Sequence, residues 1–559
     1  MGRSAKWLVL GVAASLLAVG CTGGGGSSTN TASGSAPSGG HLIIGTTSTI
    51  DTLNPFVTFQ QNSYAAFEYI YPQLVQFDSK TLEIKPDFAS TWDESSDHLT
   101  WTFHTAPNAT WSDGQPLTAN DAAWTMNTIL KYGDGPAANL IGGLQYVKTV
   151  KAADDDTLVI TYSAPAANVL QELQGLSILP QHVWEPYATG DGKALRQFPN
   201  VPTASQPLAS GGPFELVEYK KDQVAIFQRN PDFYGPKPAI EGFGLQYFSN
   251  NDAMVAALQS DQIQAAINVP PTAMATLQAN KSLTVYDGTG MQLRDLIINS
   301  SPKKEQNLEL LDPRVRMAME YAIDRNAIVQ TAWLNYAKPG TTIVPAGAAT
   351  WHDSQIQPLP FDIAKANAIL DAAGYKRGPD GIRVANGHPM SYTVLFAADE
   401  SGAGDAAFRI IQNGFQQIGI QVTQRKMDND AVNTAILGDN NTYNKFDLAM
   451  WDWYACCPIP DFILSVMQCS QWGGWSDTGY CNKTYDKMFA AQALANNDQK
   501  RLQIVYAMQK IVYDDRPYIV LSYDDQLNVW STRWTGFVES SLGLFNNLSK
   551  ESLTQVHQA

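Results

Sequence analysis

"PQLVQFDSKTLEIKPDFASTWDESSDHLTWTFHTAPNATWSDGQPLTANDAAWTM" occupies Pro72–Met126. Within it, "HLTWTFHTA" sets Leu99, Trp101 and Phe103 on one face, the alternation of a half-buried strand. Ser112-Asp113-Gly114 reads as a turn. Thr118 then caps a helix, and Asp121 stands three residues on, where a capping box needs an acceptor. The stripe Ala122, Met126, Ile129 and Leu130 gives that helix a buried face.

The same local grammar continues in both directions. "HLIIGTTSTI" opens the fold as a strand, and Thr157–Tyr162 is another alternating one. Gly211–Gly235 reads as a hairpin with Lys220, Lys221 and Asp222 at its tip. Asp312–Gln330 is expected to form a single helix, capped by Asp312, with Pro313 in its first turn and Val315, Met319, Ala322 and Ile323 on one face. Asp362–Gly374 is a shorter helix closed by Gly374. A helix over Ala406–Gly419 precedes a strand, and a helix over Asp498–Asp515 precedes the strand Tyr518–Tyr523. Strands and helices mix without a fixed period, which implies an α/β or α+β fold with mixed sheets.

At 559 residues the chain exceeds the ~250–300 residues one core supports, so two lobes are expected. Charged residues make up only 16%, as in a core-forming globular protein. A net charge of -16 makes nucleic acid and anionic lipid headgroups poor partners. Fourteen Trp and 23 Tyr favour a surface that grips something.

Residues 1–20 read as a signal peptide: Arg3 and Lys6 precede the apolar run Trp7–Val19, too short to span a bilayer. Ala18-Val19-Gly20-Cys21 resembles a bacterial lipobox, with Ala18 where Leu is preferred, so Cys21 is expected to be lipidated. An ordinary signal peptide with an incidental Cys21 is the alternative. The Gly/Ser-rich stretch up to residue 40 reads as a flexible tether with a reach of roughly 25 Å.

The remaining cysteines are Cys456, Cys457, Cys469 and Cys481, which allow three full pairings. An exported chain sits where disulfides persist. A bridge from Cys469 to Cys481 would close a Gly-rich loop, worth nearly ~3 kcal/mol in the chain-entropy model, and leave Cys456 and Cys457 vicinal or free. Adjacent cysteines are poor joint ligands for one zinc ion, so no metal and no cofactor are expected. There is no His-Glu-x-x-His, Gly-x-Ser-x-Gly, P-loop or Cys-x-x-Cys pattern, and no catalytic residue is assigned.

Five blocks in order resemble the extracytoplasmic solute-binding proteins of ABC importers, family 5, which include oligopeptide- and dipeptide-binding proteins. They are "IDTLNPF" (Ile50–Phe56), the block Pro72–Met126, "SGGPFELVEYKKDQVAIFQRNPDFYG", "LDPRVRMAMEYAIDRNAIV" and "FDIAKANAILDAAGY". The resemblance covers residues 41–540 and implies a two-lobed periplasmic-binding-protein-like clamp of the large peptide-binding type, with an extra domain inserted in the N-terminal half. By it, lobe I is residues 41–72, 205–297 and 525–559, the insertion is 73–204, and lobe II is 298–524. Trp111, Gly114, Arg314 and Arg316 are read as fold-making residues.

The resemblance also implies where the cleft lies. One wall falls near Phe59, Gln60, Gln61 and Asn62. The other is "AMWDWYACCPIPDF" (Ala449–Phe462), with Trp451, Asp452, Trp453 and Tyr454 as an aromatic strand. Of Trp451 and Trp453, one is expected in the core and one in the cleft. Peptide-binding relatives carry an Asp three residues after the matched Trp453, where it pairs with the peptide ammonium; here that residue is Cys456. Asp452 or Asp461 would have to replace it. The implied function is a lipid-anchored, monomeric receptor outside the cytoplasmic membrane. It would capture peptides by hinge closure and hand them to the permease subunits of an ABC importer. The same clamp binding oligosaccharides or another solute is the alternative, and an exported hydrolase or a surface receptor with a protein partner remain as further readings.

Overall fold

The computed structural model describes residues 40–58, 61–144, 146–165, 168–203, 207–397, 402–455, 459–495, 497–540 and 549–559. The signal segment, Cys21 and residues 22–39 of the tether lie outside them, as do Phe59, Gln60, Cys456 and Cys457. Of Gln61 only the backbone is described.

Among the described residues the largest sheet has 11 strands. Its order runs Gln421–Met427, Ser391–Ala397, Leu448–Tyr454, Leu283–Ile298, Tyr518–Ser531, Ala265–Ala266, His41–Thr46, Gly242–Tyr247, Val224–Arg229 and Phe214–Lys220, with Ala337–Pro339 added beside Tyr518–Ser531. His41–Thr46 pairs in parallel with a strand on either side, and such strands need cover on both faces. Leu42 and Ile44 enter one core while Ile43 enters another.

Two long antiparallel strands join the lobes. Leu283–Ile298 and Tyr518–Ser531 pair from Leu283↔Ser531 to Ile297↔Tyr518. The second touches all the cores: Ile519 and Leu521 pack in one, Tyr518, Val520 and Tyr523 in a second, Leu527 and Val529 in a third, and Trp530 in a fourth. The register slips between Thr289 and Gln292, midway along the crossing. A side chain at Gly290 would bring its Cβ within 2.2 Å of the Asp524 carbonyl oxygen, so only glycine fits there.

A separate antiparallel sheet of four strands, Ala89–Glu94, Thr100–Thr105, Thr157–Tyr162 and Val147–Asp154, forms the inserted layer. Helix Ala119–Tyr132 packs on it and starts at the expected capping box: the Thr118 amide donates to Asp121 at 3.0 Å. Trp111 is fully buried beneath it. The architecture is thus a two-lobed α/β clamp with an inserted sheet.

One expected helix is two. Asp312–Gln330 splits into Pro313–Tyr321 and Arg325–Thr331 because Asp324 caps the second, accepting from the Ala327 amide at 2.9 Å. The expected face survives the break: Val315, Met319, Ala322 and Ile323 are all buried. At the break, Glu320 takes Arg325 on one oxygen at 2.9 Å and Arg516 on the other at 2.5 Å. Arg316 holds the carbonyls of Leu310, Asn299 and Asp515, a fold-making role. Burial lowers its pKa to about 10.

Candidate ligand cleft

His41–Thr46 has its two parallel neighbours on opposite sides, which makes its C-terminal end a switch point in the sheet. Crevices outside such strand ends are where open α/β sheets take ligands. Two cavities open there. The larger is lined by Ser48 and Asn268 from the strand ends of the first lobe. The crossing strands supply Gln292, Asp524, Asp525 and Gln526, and the strand Leu448–Tyr454 supplies Asp452 and Tyr454. The smaller, with room for about one water, lies between the loop after Thr46 and the hairpin tip, and Ser48 lines it too.

Charge in the larger cavity is arranged, not scattered. Arg294 Nε donates to Asp524 at 2.8 Å, and its Nη1 lies 3.8 Å from Asp452. Gln292 donates to Asp452 and Gln526 to the Tyr454 hydroxyl at 3.2 Å. One guanidinium thus serves two carboxylates, which leaves net negative charge for a cation to meet. Asp525 adds a third acid. Burial first, then the charge of Asp287, raises its carboxyl to about 6 against the pull of Lys338. Between pH 5 and 7 it therefore ionises, and affinity for a cationic ligand is expected to rise over that interval, as titration calorimetry at the two pH values would show. For the empty fold the sign is opposite. The folded carboxyl keeps its proton up to about 6 where the unfolded one releases it near 3.8, so its stabilising contribution is lost as pH climbs through that window.

The strand Leu448–Tyr454 behaves differently from the expectation for its tryptophans. Asp452 and Tyr454 line the cavity; Trp451 and Trp453 both lie on the other face. They are two residues apart, and a strand's period of two puts them together. Trp453 Nε1 donates to Asp477 at 3.0 Å, and its ring meets Phe462 and Trp475 edge-on. Burial pushes Asp477 up to about 7 despite the hydrogen bonds it accepts from Tyr518 and Trp453. The loop that carries Trp475 and Asp477 is closed by the Cys469–Cys481 disulfide, at an S–S distance of 2.07 Å.

Asp461 does not line the cavity. It heads the helix Asp461–Ser465, and its two oxygens accept from Gln492 at 2.9 Å and from Arg501. A carboxylate so engaged is no stand-in for the acid missing at Cys456. Asn62 lines the smaller cavity, but its amide is occupied: it donates to the Ser48 carbonyl and to Thr46 Oγ1 at 3.3 Å.

Comparison with known proteins fixes the family. Residues 83–475, more than half of the chain, match the bacterial extracellular solute-binding proteins, family 5. The chain belongs to this family. The solute-binding protein is 26% identical over 512 residues to the probable D,D-dipeptide-binding periplasmic protein DdpA of Escherichia coli K12, covering 89% of this chain and 91% of that one. Its fold matches NikZ of Campylobacter jejuni, solved with Ni(L-His), at TM-score 0.77 and 20% identity, over 93% and 99% of the two chains. It also matches the oligopeptide-binding protein AppA of Bacillus subtilis, solved with a nonapeptide, at TM-score 0.76 and 20% identity, over 93% and 99%. No helix among the described residues of the solute-binding protein is long and apolar enough to cross a membrane.

Sequence reading missed Ser48, Asn268, Gln292, Arg294, Asp524, Asp525 and Gln526. One signal was present. "YIVLSYDDQLNVW" places two adjacent acids inside a largely buried strand, a local break of pattern of the kind expected where a strand serves a site.

Proposed function

We propose that the chain is a receptor for short peptides or similar solutes with a free ammonium group, and that it delivers them to an ABC importer. One observation carries this: Asp452 and Asp524 share a single guanidinium at the edge of the larger cavity, between lobe I and the crossing strands. In this reading Asp452 and Asp524 together supply the negative charge that position 456 lacks. Peptide-binding names among the relatives support the same reading. Tyr454 is the one aromatic ring lining this cavity among the described residues, which gives stacked sugar faces little purchase. Contact with both lobes is available only when they close, so ligand shifts the population toward the closed clamp. Lipidation at Cys21 would keep the receptor beside its permease.

The test is a thermal-shift series with unblocked dipeptides, their N-acetyl forms and oligosaccharides. A dipeptide at about 100 times its Kd is expected to add about 2.7 kcal/mol of stability. The acetylated forms are expected to add far less. Mass spectrometry is expected to return the ligand intact. No stabilisation by any unblocked peptide sinks the proposal, and cleaved product makes the chain a hydrolase.

A further inference from the structure

Two short helices that belong to different cores bring their acids together. Val169–Gln174 buries Val169 and Leu173 in the core that holds the first strand. Asp461–Ser465 buries Ile463 and Leu464 in a core of the second lobe. Glu172 of the first helix stands close enough to Asp461 and Arg501 for its carboxyl to feel the charge of both. We infer that this contact is a proton-operated catch on the clamp: with Glu172 protonated the two lobes hold together at this edge, and with Glu172 ionised they are driven apart.

The charges at the contact do not balance. Arg501 is buried and already engaged: it donates to Asp461, and its Nε donates to Gln492 at 2.8 Å. Its guanidinium also lies over the Trp351 ring, 4.7 Å from the centroid. Arg501 and Asp461 are therefore neutral as a pair, and an ionised Glu172 is a second anion beside them. Its own side supplies no cation. The helix Val169–Gln174 packs on Val75–Phe77 and Ile141–Leu144, and neither segment carries a charged side chain. Tyr162 is the other titratable group that feels Glu172, and burial keeps its phenol neutral. Glu172 Oε1 accepts from Asn168 Nδ2 at 2.7 Å, a bond that eases ionisation without supplying charge.

Burial first, then the charge of Asp461, lifts the Glu172 carboxyl to about 8 against the pull of Arg501 and Asn168. When the lobes part, Asp461 recedes and water reaches the carboxyl, which falls back toward its ordinary value of 4.5. The closed form thus binds the proton more tightly than the open one. Its advantage is complete below the open-form value and is lost as pH climbs through about 8. Within that window one pH unit changes the closed-to-open ratio by up to about tenfold. Asp525 acts on a charged ligand; Glu172 acts on the clamp itself, whatever solute the cleft takes.

Amide-hydrogen exchange of the full chain without ligand, read by mass spectrometry at pH 6 and pH 9, tests this. Intrinsic exchange rates change with pH, so the unaltered chain is compared with Glu172→Gln at each pH. Glutamine keeps the shape of the side chain and cannot ionise. Over Asp461–Ser465 the two proteins are expected to exchange alike at pH 6. At pH 9 the unaltered chain is expected to exchange there about tenfold faster than Glu172→Gln. The readout lies in the lobe opposite the substitution, so loosening of the Glu172 helix alone does not produce it. Small-angle X-ray scattering adds a second measure: the unaltered chain is expected to expand between the two pH values and Glu172→Gln to stay compact. Equal exchange of the two proteins over Asp461–Ser465 at pH 9 overturns the catch. So does a difference confined to Val169–Gln174, which would tie Glu172 to its own lobe.

Discussion

Asp452→Asn is expected to weaken binding of an unblocked dipeptide by about 10–100-fold while the fold stays intact. A hydrogen bond to a charged group contributes about 1.5–3 kcal/mol, which spans that range. The amide has the shape of the carboxylate, so what is removed is charge. Arg294 keeps Asp524 as its partner at 2.8 Å, and no buried cation is stranded. The cavity instead goes from a surplus of negative charge toward balance, and its attraction for an ammonium group goes with it. Calorimetry with the same peptide in free and N-acetylated form separates charge from shape. A loss confined to the free form supports the assignment; an equal loss in both would place Asp452 in the fabric of the strand and not in recognition.

Glu320→Ala is expected to cost about 3–5 kcal/mol of unfolding free energy, read from urea denaturation. Removing one member of a buried ionic group leaves the others charged and dehydrated. Here two are left: the Arg325 and Arg516 side chains are 4% and 7% exposed, and Glu320 itself is 2% exposed. Arg325 retains the Val520 carbonyl and Arg516 the Asp514 carbonyl, which accept hydrogen bonds but carry no full charge. Glu320→Gln preserves volume and one acceptor and is expected to lose less. A loss below about 1 kcal/mol for the alanine variant would mean that water reaches both guanidiniums.

Glu320 also shows where sequence reading reaches its limit. The helix pattern from Asp312 to Gln330 runs unbroken in hydrophobic period, and nothing at that level forces a stop. Asp324 does, through a cap that competes with continuation. Thr118 and Asp121, by contrast, announced their capping box because both partners sit within four residues. Cys469 and Cys481 likewise enclose their own loop. The larger cavity had no such local signature. Ser48, Gln292, Asp452 and Asp524 are brought together only by the strand order of a sheet whose neighbours lie hundreds of residues apart. Trp451 and Trp453 drew attention by composition, yet the polar residues alternating with them face the cavity. Aromatic content pointed to a strand that lines the larger cavity through Asp452 and Tyr454, while Trp451 and Trp453 lie on its other face.

The strand Tyr518–Ser531 has a consequence for the history of the molecule. It pairs with Ala265–Ala266 and contributes to every core, and Trp534, Leu553 and Val556 also pack in the core that holds the first strand. The opening half of the polypeptide thus lacks wall material until the last fifty or so residues exist. Pairing across such separations is slow, since long loops must close before contacts form. A nascent chain emerging in order therefore cannot commit to its final form early.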